Sequence, residues 1–121
     1  MTSTPRTLTF DCADPQAQAQ FWSQVVGRPV DDGATEHFAA IGLWAEESTG
    51  QLALLFLSVP EGKTAKNRMH LDLGCDDRRA EVARLVALGA THLGDHDEFG
   101  ISWSVLTDPE GNEFCIADPH P

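Results

Sequence analysis

His70 and Asp72 stand two residues apart in His70-Leu71-Asp72-Leu73, a stretch that alternates polar and apolar side chains. In an extended strand that spacing puts the imidazole and the carboxylate on one face and the leucines on the other. A carboxylate beside an imidazole can set its tautomer and proton affinity, which is what a general base requires. The plainer reading is a histidine that hydrogen-bonds within the strand pair and fixes its geometry. A second stretch with chemical potential is Asp108-Pro109-Glu110-Gly111-Asn112-Glu113-Phe114-Cys115, a turn running into a strand. Pro109 sets φ at the first turn position, and Gly111 and Asn112 tolerate positive φ. Cys115 reads first as a small buried apolar residue, since only His70 could lower its pKa.

These groups need elements to position them. Leu8 to Cys12 alternates as a strand, with Leu8, Phe10 and Cys12 on one face and Thr7, Thr9 and Asp11 on the other. Asp14-Pro15 opens a helix as N-cap and first helical residue, and Gly27 closes it. Ala17, Phe21, Trp22, Val25 and Val26 form its apolar stripe. Strands are predicted over His37 to Trp44 and Leu52 to Val59, with Glu46 to Gly50 as the hairpin loop between them. After the polar connector 60–68 the pattern restarts. A strand from Met69 to Cys75 is followed by a helix capped at Asp76-Asp77 and ended by Gly89, with apolar Ala80, Val82, Ala83, Leu85, Val86 and Leu88. Strands at Thr91 to Leu93, Ile101 to Leu106 and Glu113 to Ala117 complete the second half.

The order predicts an internal repeat of roughly sixty residues. The fold class is α+β, with two βαβββ modules forming a cupped mixed sheet and helices on its outer face. One domain spans 1–121, with modules at 6–59 and 69–119 joined by the connector. Setting Asp14 against Asp77 places Thr7 on His70, Thr9 on Asp72 and Cys12 on Cys75. Setting Pro60 against Pro119 places Phe56 on Cys115. Period-two alternation then points Thr7, Thr9, Asp11, His70, Asp72, Glu113 and Cys115 toward the concave side. Phe56 and Leu54 make an apolar wall there, and Trp103 or Trp44 could stack on a flat ligand.

The composition narrows the function classes. The formal net charge of −11 repels phosphate backbones and anionic lipid, so neither nucleic acid nor membrane is an expected partner. Three cysteines without a CxxC pair argue against a disulfide framework or a zinc knuckle, and the five histidines include no HExxH pair. Met1 to Arg6 lacks an apolar signal segment, so a cytoplasmic protein is expected. Lys63, Lys66 and Arg68 concentrate positive charge in the connector. They either pair with neighbouring acids or guide an anionic substrate. Asp95-His96-Asp97-Glu98 reads as a solvated loop that could act as a lid.

The final turn, the His70-Leu71-Asp72-Leu73 strand, Phe21-Trp22, Lys63, Lys66-Asn67-Arg68, Leu88-Gly89-Ala90 and Trp103, taken in order, resemble the vicinal oxygen chelate superfamily. More narrowly they resemble its glyoxalase/bleomycin resistance domains. The resemblance spans nearly the whole chain and implies a homodimer. In metal-dependent members it maps the ligand positions onto Thr7, Phe56, His70 and Cys115. Of these only His70 is a usual ligand, and Cys115 stands where a final glutamate is customary. A transition-metal site needs three or more protein ligands. Asp72 and Glu113 would lie about one pleat step away, ~6–7 Å. No cofactor and no metal are therefore expected, and any metal would rest on His70.

The expected function is binding of a small molecule in the cup without the usual family metal site. His70 and Asp72 are the catalytic candidates, and Thr7, Thr9, Asp11, Phe56, Trp103, Glu113 and Cys115 the ligand-binding ones. The acidic residues Asp11, Asp72 and Glu113 would favour a cation, and Trp103 a flat ring. Two alternatives are a metal-dependent lyase or isomerase of glyoxalase type using His70, and a drug-sequestering protein of bleomycin-resistance type.

Overall fold

The computed structural model describes residues 1–45 and 50–119. The hairpin loop expected at Glu46 to Gly50 lies, for 46–49, outside the described residues. The chain forms two compact units, Met1–Gly62 and Lys63–Pro121. The division falls within the polar connector.

The first unit contains β1 (Thr7–Cys12), α1 (Pro15–Val26), β2 (Phe38–Ile41) and β3 (Ala53–Ser58). Its sheet has the order β1-β3-β2, with β1 parallel and β2 antiparallel to β3. The predicted caps form: Asp14 Oδ1 accepts from Ala17 N at 3.1 Å, and the Gly27 N–H donates to Ser23 O at φ +69°. A left-handed residue ends the helix there, which glycine does without steric penalty. The helix buries Phe21, Trp22 and Val25. Phe10 lies between Trp22 and Phe56, with ring centroids 5.2 Å and 5.0 Å away. Each such ring removed from water stabilises the unit by about 1.5–3 kcal/mol. Ahead of β2, the segment 30–35 makes two backbone bonds along its edge, Asp31 N to Ala40 O and Thr35 N to Phe38 O. Gly33, at φ +95°, interrupts regular pairing between them.

The second unit contains β4 (Asp72–Gly74), α2 (Arg78–Leu88), β5 (Thr91–Glu98), β6 (Ile101–Thr107) and β7 (Glu113–Ala117). Sheet order is β4-β7-β6-β5, with β4 parallel to β7 and the other neighbours antiparallel. Leu71 extends the ladder beyond β4 by accepting from Cys115 N at 2.9 Å. Asp77 caps α2 by accepting from Ala80 N. Of the apolar positions expected along α2, only Leu85 is fully buried, and Val86 is exposed. Arg78, the first residue of α2, holds the helix to the sheet by donating to buried Ser104 Oγ at 2.7 Å and to Asp118 Oδ2 at 3.2 Å.

Two local readings change. Asp95-His96-Asp97-Glu98 is not a loop. It continues β5, paired from Asp95↔Ser104 to Glu98↔Ile101, after an irregularity between His92 and Gly94. The available edge of β6 overrides the low strand propensity of an acidic run. In the closing turn, only Gly111 adopts positive φ, at +90°. The turn is built by buried Asp108, whose Oδ1 accepts from Glu110 N and Asn112 N, and whose Oδ2 accepts from the Asn112 side chain. An aspartate that satisfies its own turn's N–H groups is a local substitute for backbone pairing.

The repeat is present with a different register. Thr9 pairs with Leu55 in the first unit, and Asp72 pairs with Cys115 in the second. Cys12 Sγ donates to Leu57 O at 3.5 Å, and Cys75 Sγ donates to Ala117 O at 3.5 Å. Both relations make Leu55, not Phe56, the counterpart of Cys115. A one-residue slip moves a strand residue to the opposite face. Phe56 accordingly faces α1, is 0% exposed and cannot line an open concave surface.

Candidate functional site

The second unit's sheet carries α2 on one face and a cleft of about 450 Å³ on the other. Alternation builds it as predicted. Phe114 and Ile116 of β7 are buried among the core residues, while Glu113, Cys115 and Ala117 line the cleft. On β6, Ile101, Trp103 and Val105 supply an apolar wall. His96 stacks on Trp103 with centroids 5.3 Å apart and planes 20° from parallel. Such a pair restrains the orientation of the Trp103 ring.

The polar end is formed by His70, Asp72 and Cys115. His70 Nε2 lies 3.3 Å from Asp72 Oδ1, and both side chains are exposed. Asp72 stands beside Cys115 in the parallel register of β4 and β7. The pleat step expected along the strand does not keep Asp72 out of reach, because cross-strand pairing brings it to Cys115. One donor atom from each of the three lies within 4.8 Å of the others. Burial pushes the Cys115 thiol up to about 11, reinforced by the charge of Asp72 and a hydrogen bond to it; Lys66 opposes this weakly. At neutral pH this cysteine is a neutral thiol and a hydrogen-bond donor, not a nucleophile.

Glu113 has a structural engagement that its position in the sequence does not disclose. Its Oε1 accepts from Lys63 Nζ at 2.8 Å and its Oε2 from Asn67 N at 2.8 Å. The Lys63 hydrogen bond, with help from the Asn67 N–H, holds the Glu113 carboxyl below its ordinary range. Lys63 also donates to Ala65 O. The connector is thus tied down at the cleft, and Glu113 brings no unbalanced negative charge to it. Of the acidic residues expected to favour a cation there, Asp72 remains, with Lys66 also lining the cleft.

The cleft therefore unites five sequence-predicted residues: His70, Asp72, Trp103, Glu113 and Cys115. Thr7, Thr9 and Asp11 are exposed on the first unit's sheet, and the cleft is lined by second-unit residues alone. Trp44, the other stacking candidate, is 73% exposed. Lys66, expected in the connector as a partner of acids or a guide for an anionic substrate, lines the cleft, as do Phe99, Ile101, Val105 and Ala117, which the sequence reading does not single out. Alternation with Trp103 in Ile101-Ser102-Trp103-Ser104-Val105 is the signal that carries two of them.

By count, His70, Asp72 and Cys115 meet the minimum of three protein ligands for a zinc-type ion with an open position. The donor chemistry works against it at neutral pH. A metal would have to displace a proton from a thiol that burial and the neighbouring Asp72 charge keep protonated.

Two mixed sheets, each with a helix against it, and a cleft on the second define the glyoxalase/bleomycin resistance fold. A family model described as glyoxalase-like domain matches residues 7–117, and the chain belongs to that family within the vicinal oxygen chelate superfamily. Among solved structures it is similar to a glyoxalase/bleomycin resistance protein/dioxygenase family enzyme from Burkholderia phytofirmans PsJN. That pair is 21% identical with a TM-score of 0.72, covering 93% of this chain and 95% of the other. A glyoxalase-related enzyme from Fulvimarina pelagi is 18% identical with a TM-score of 0.71, covering 98% and 89%. Lactoylglutathione lyase from Agrobacterium tumefaciens is 17% identical with a TM-score of 0.67, covering 97% and 94%. No curated protein matches the chain. At these identities the structural likeness carries the fold.

Proposed function

We propose that the second unit's cleft binds a flat, mainly apolar ring compound bearing a hydroxyl or amino donor, without a resident metal. The observation that carries this is the division of the cleft into an apolar wall, Ile101, Trp103 and Val105, and one polar end, His70 with Asp72. Ligand sites commonly combine an apolar lining with a few convergent polar groups. Asp72 accepts from a ligand hydroxyl or amine. His70, 3.3 Å from Asp72, is the group that could take up its proton, which would turn binding into general-base chemistry. Cys115 supports this as a neutral donor beside Asp72.

Naphthol, with naphthalene as the control lacking a hydroxyl, tests the reading by fluorescence titration. Naphthol should bind saturably and more tightly than naphthalene. Trp103→Ala should weaken both, and Asp72→Asn should reduce the difference between them. Equal affinity for the two compounds, or no effect of Trp103→Ala, would refute it.

The closeness of His70, Asp72 and Cys115 favours a second reading, a thiophilic divalent ion held by these three. Calorimetric titration with Zn²⁺ at neutral pH separates the two. Stoichiometric binding lost in both His70→Ala and Cys115→Ala would replace the metal-free reading.

A further inference from the structure

We propose that Phe99 closes over the ring bound in the cleft and limits the ring size accepted; this rests on the binding reading above. The β5–β6 hairpin turns through two residues, Phe99 and Gly100, since Glu98 pairs with Ile101. Both have positive φ, +57° and +73°. A two-residue turn of this kind favours Asn-Gly, Asp-Gly or Gly-Gly, because its first residue must also sit in the left-handed region. Phe99 is the one non-glycine residue with positive φ among the described residues. A bulky side chain there is an outlier, and such strain concentrates at ligand clamps and active sites.

Packing does not account for it, since Phe99 is 90% exposed. The ring nevertheless lines the cleft, at the turn that leads into the strand carrying Ile101 and Trp103. The chain thus keeps an aromatic ring in water, in a conformation ill suited to it, at the edge of an aromatic-walled cleft. A flat ligand on Trp103 gives that ring a partner. Its closure would exclude water from the polar end at His70 and Asp72. A larger ring system would meet Phe99 before reaching them.

Phe99→Asn tests this, because Asn-Gly suits the turn while removing the ring. Naphthol affinity should fall about tenfold, the scale of one lost ring–ring contact. The melting temperature should stay level or rise, and Phe99→Tyr should restore affinity. Wild-type affinity for naphthol in Phe99→Asn, with binding lost in Trp103→Ala, would overturn the closing role alone. A changed sedimentation coefficient in Phe99→Asn with unchanged affinity would overturn it too, by making Phe99 a contact between copies of the chain. Failure of the wild-type chain to bind naphthol would remove the binding reading and this role with it.

Discussion

Asp72 and Cys115 are partners across the parallel β4–β7 pair, with the thiol sulfur within 4.8 Å of a carboxylate oxygen. That relationship governs the chemistry of the cleft's polar end. A carboxylate beside a buried thiol disfavours a second negative charge, so the cysteine stays neutral and the aspartate remains the acceptor.

The thiol's acidity has a measurable consequence. Its folded value of about 11 exceeds the ordinary 9.0, so the folded chain holds this proton more tightly than the unfolded chain. The associated stability is complete below 9.0 and fades as pH rises toward about 11. Denaturation midpoints of wild type and Cys115→Ala should therefore converge, at the wild type's expense, across that alkaline interval. Iodoacetamide labelling followed by mass spectrometry gives a second check. Cys115 should label slowly at neutral pH and faster in Asp72→Asn, where the carboxylate's charge is gone.

Glu113 should act at the other end of the pH scale. Its folded pKa lies below the ordinary 4.5, because Lys63 and the Asn67 N–H favour the charged form. Its contribution is present above 4.5 and lost as pH falls through the lower folded value. Thermal melts should show Glu113→Gln less stable than wild type at neutral pH, with the gap narrowing in acid. A gap independent of pH would mean that the ion pair with Lys63 contributes nothing.

The corrected register predicts unequal costs for two neighbouring leucine-strand positions. Phe56→Ala opens a hole against Phe10 and should cost about 3–5 kcal/mol by urea denaturation. Leu55→Ala, on the half-exposed face, should cost less than half as much. Equal losses would show that the two side chains share the core.

Arg78 should prove the fastening point of α2. Arg78→Ala leaves buried Ser104 without its guanidinium donor and should cost about 1.5–3 kcal/mol, the range for a hydrogen bond to a charged group. Hydrogen exchange resolved by peptide should localise the loss to 78–88. Uniform loss of protection across the second unit would argue for global destabilisation instead.

Much of this was legible in the residues. Asp14-Pro15, Asp77, Gly27 and Gly89 marked the helix ends, because capping is local chemistry written in a few residue types. Alternation put Glu113 and Cys115 opposite Phe114 and Ile116, since period two needs no knowledge of the partner strand. What failed depended on partners. The expected match of Phe56 to Cys115 rests on Pro60 and Pro119, and a strand register cannot be fixed from outside the strand. The pleat step between His70 and Asp72 likewise says nothing of how near Asp72 comes to Cys115, which the β4–β7 register decides. The Glu113–Lys63 pair joins residues 50 positions apart, and no local pattern announces such a contact.

The twin bonds from Cys12 to Leu57 O and from Cys75 to Ala117 O mark one backbone plan executed twice with different cargo. Where the second copy presents Asp72 and Cys115, the first presents Thr9 and Leu55. The chain thus carries its own blank. Exchanging that one cross-strand pair, Thr9→Asp with Leu55→Cys, would transplant two of the three polar-end groups into a sheet whose helix-side packing is left alone. The reverse exchange would erase them.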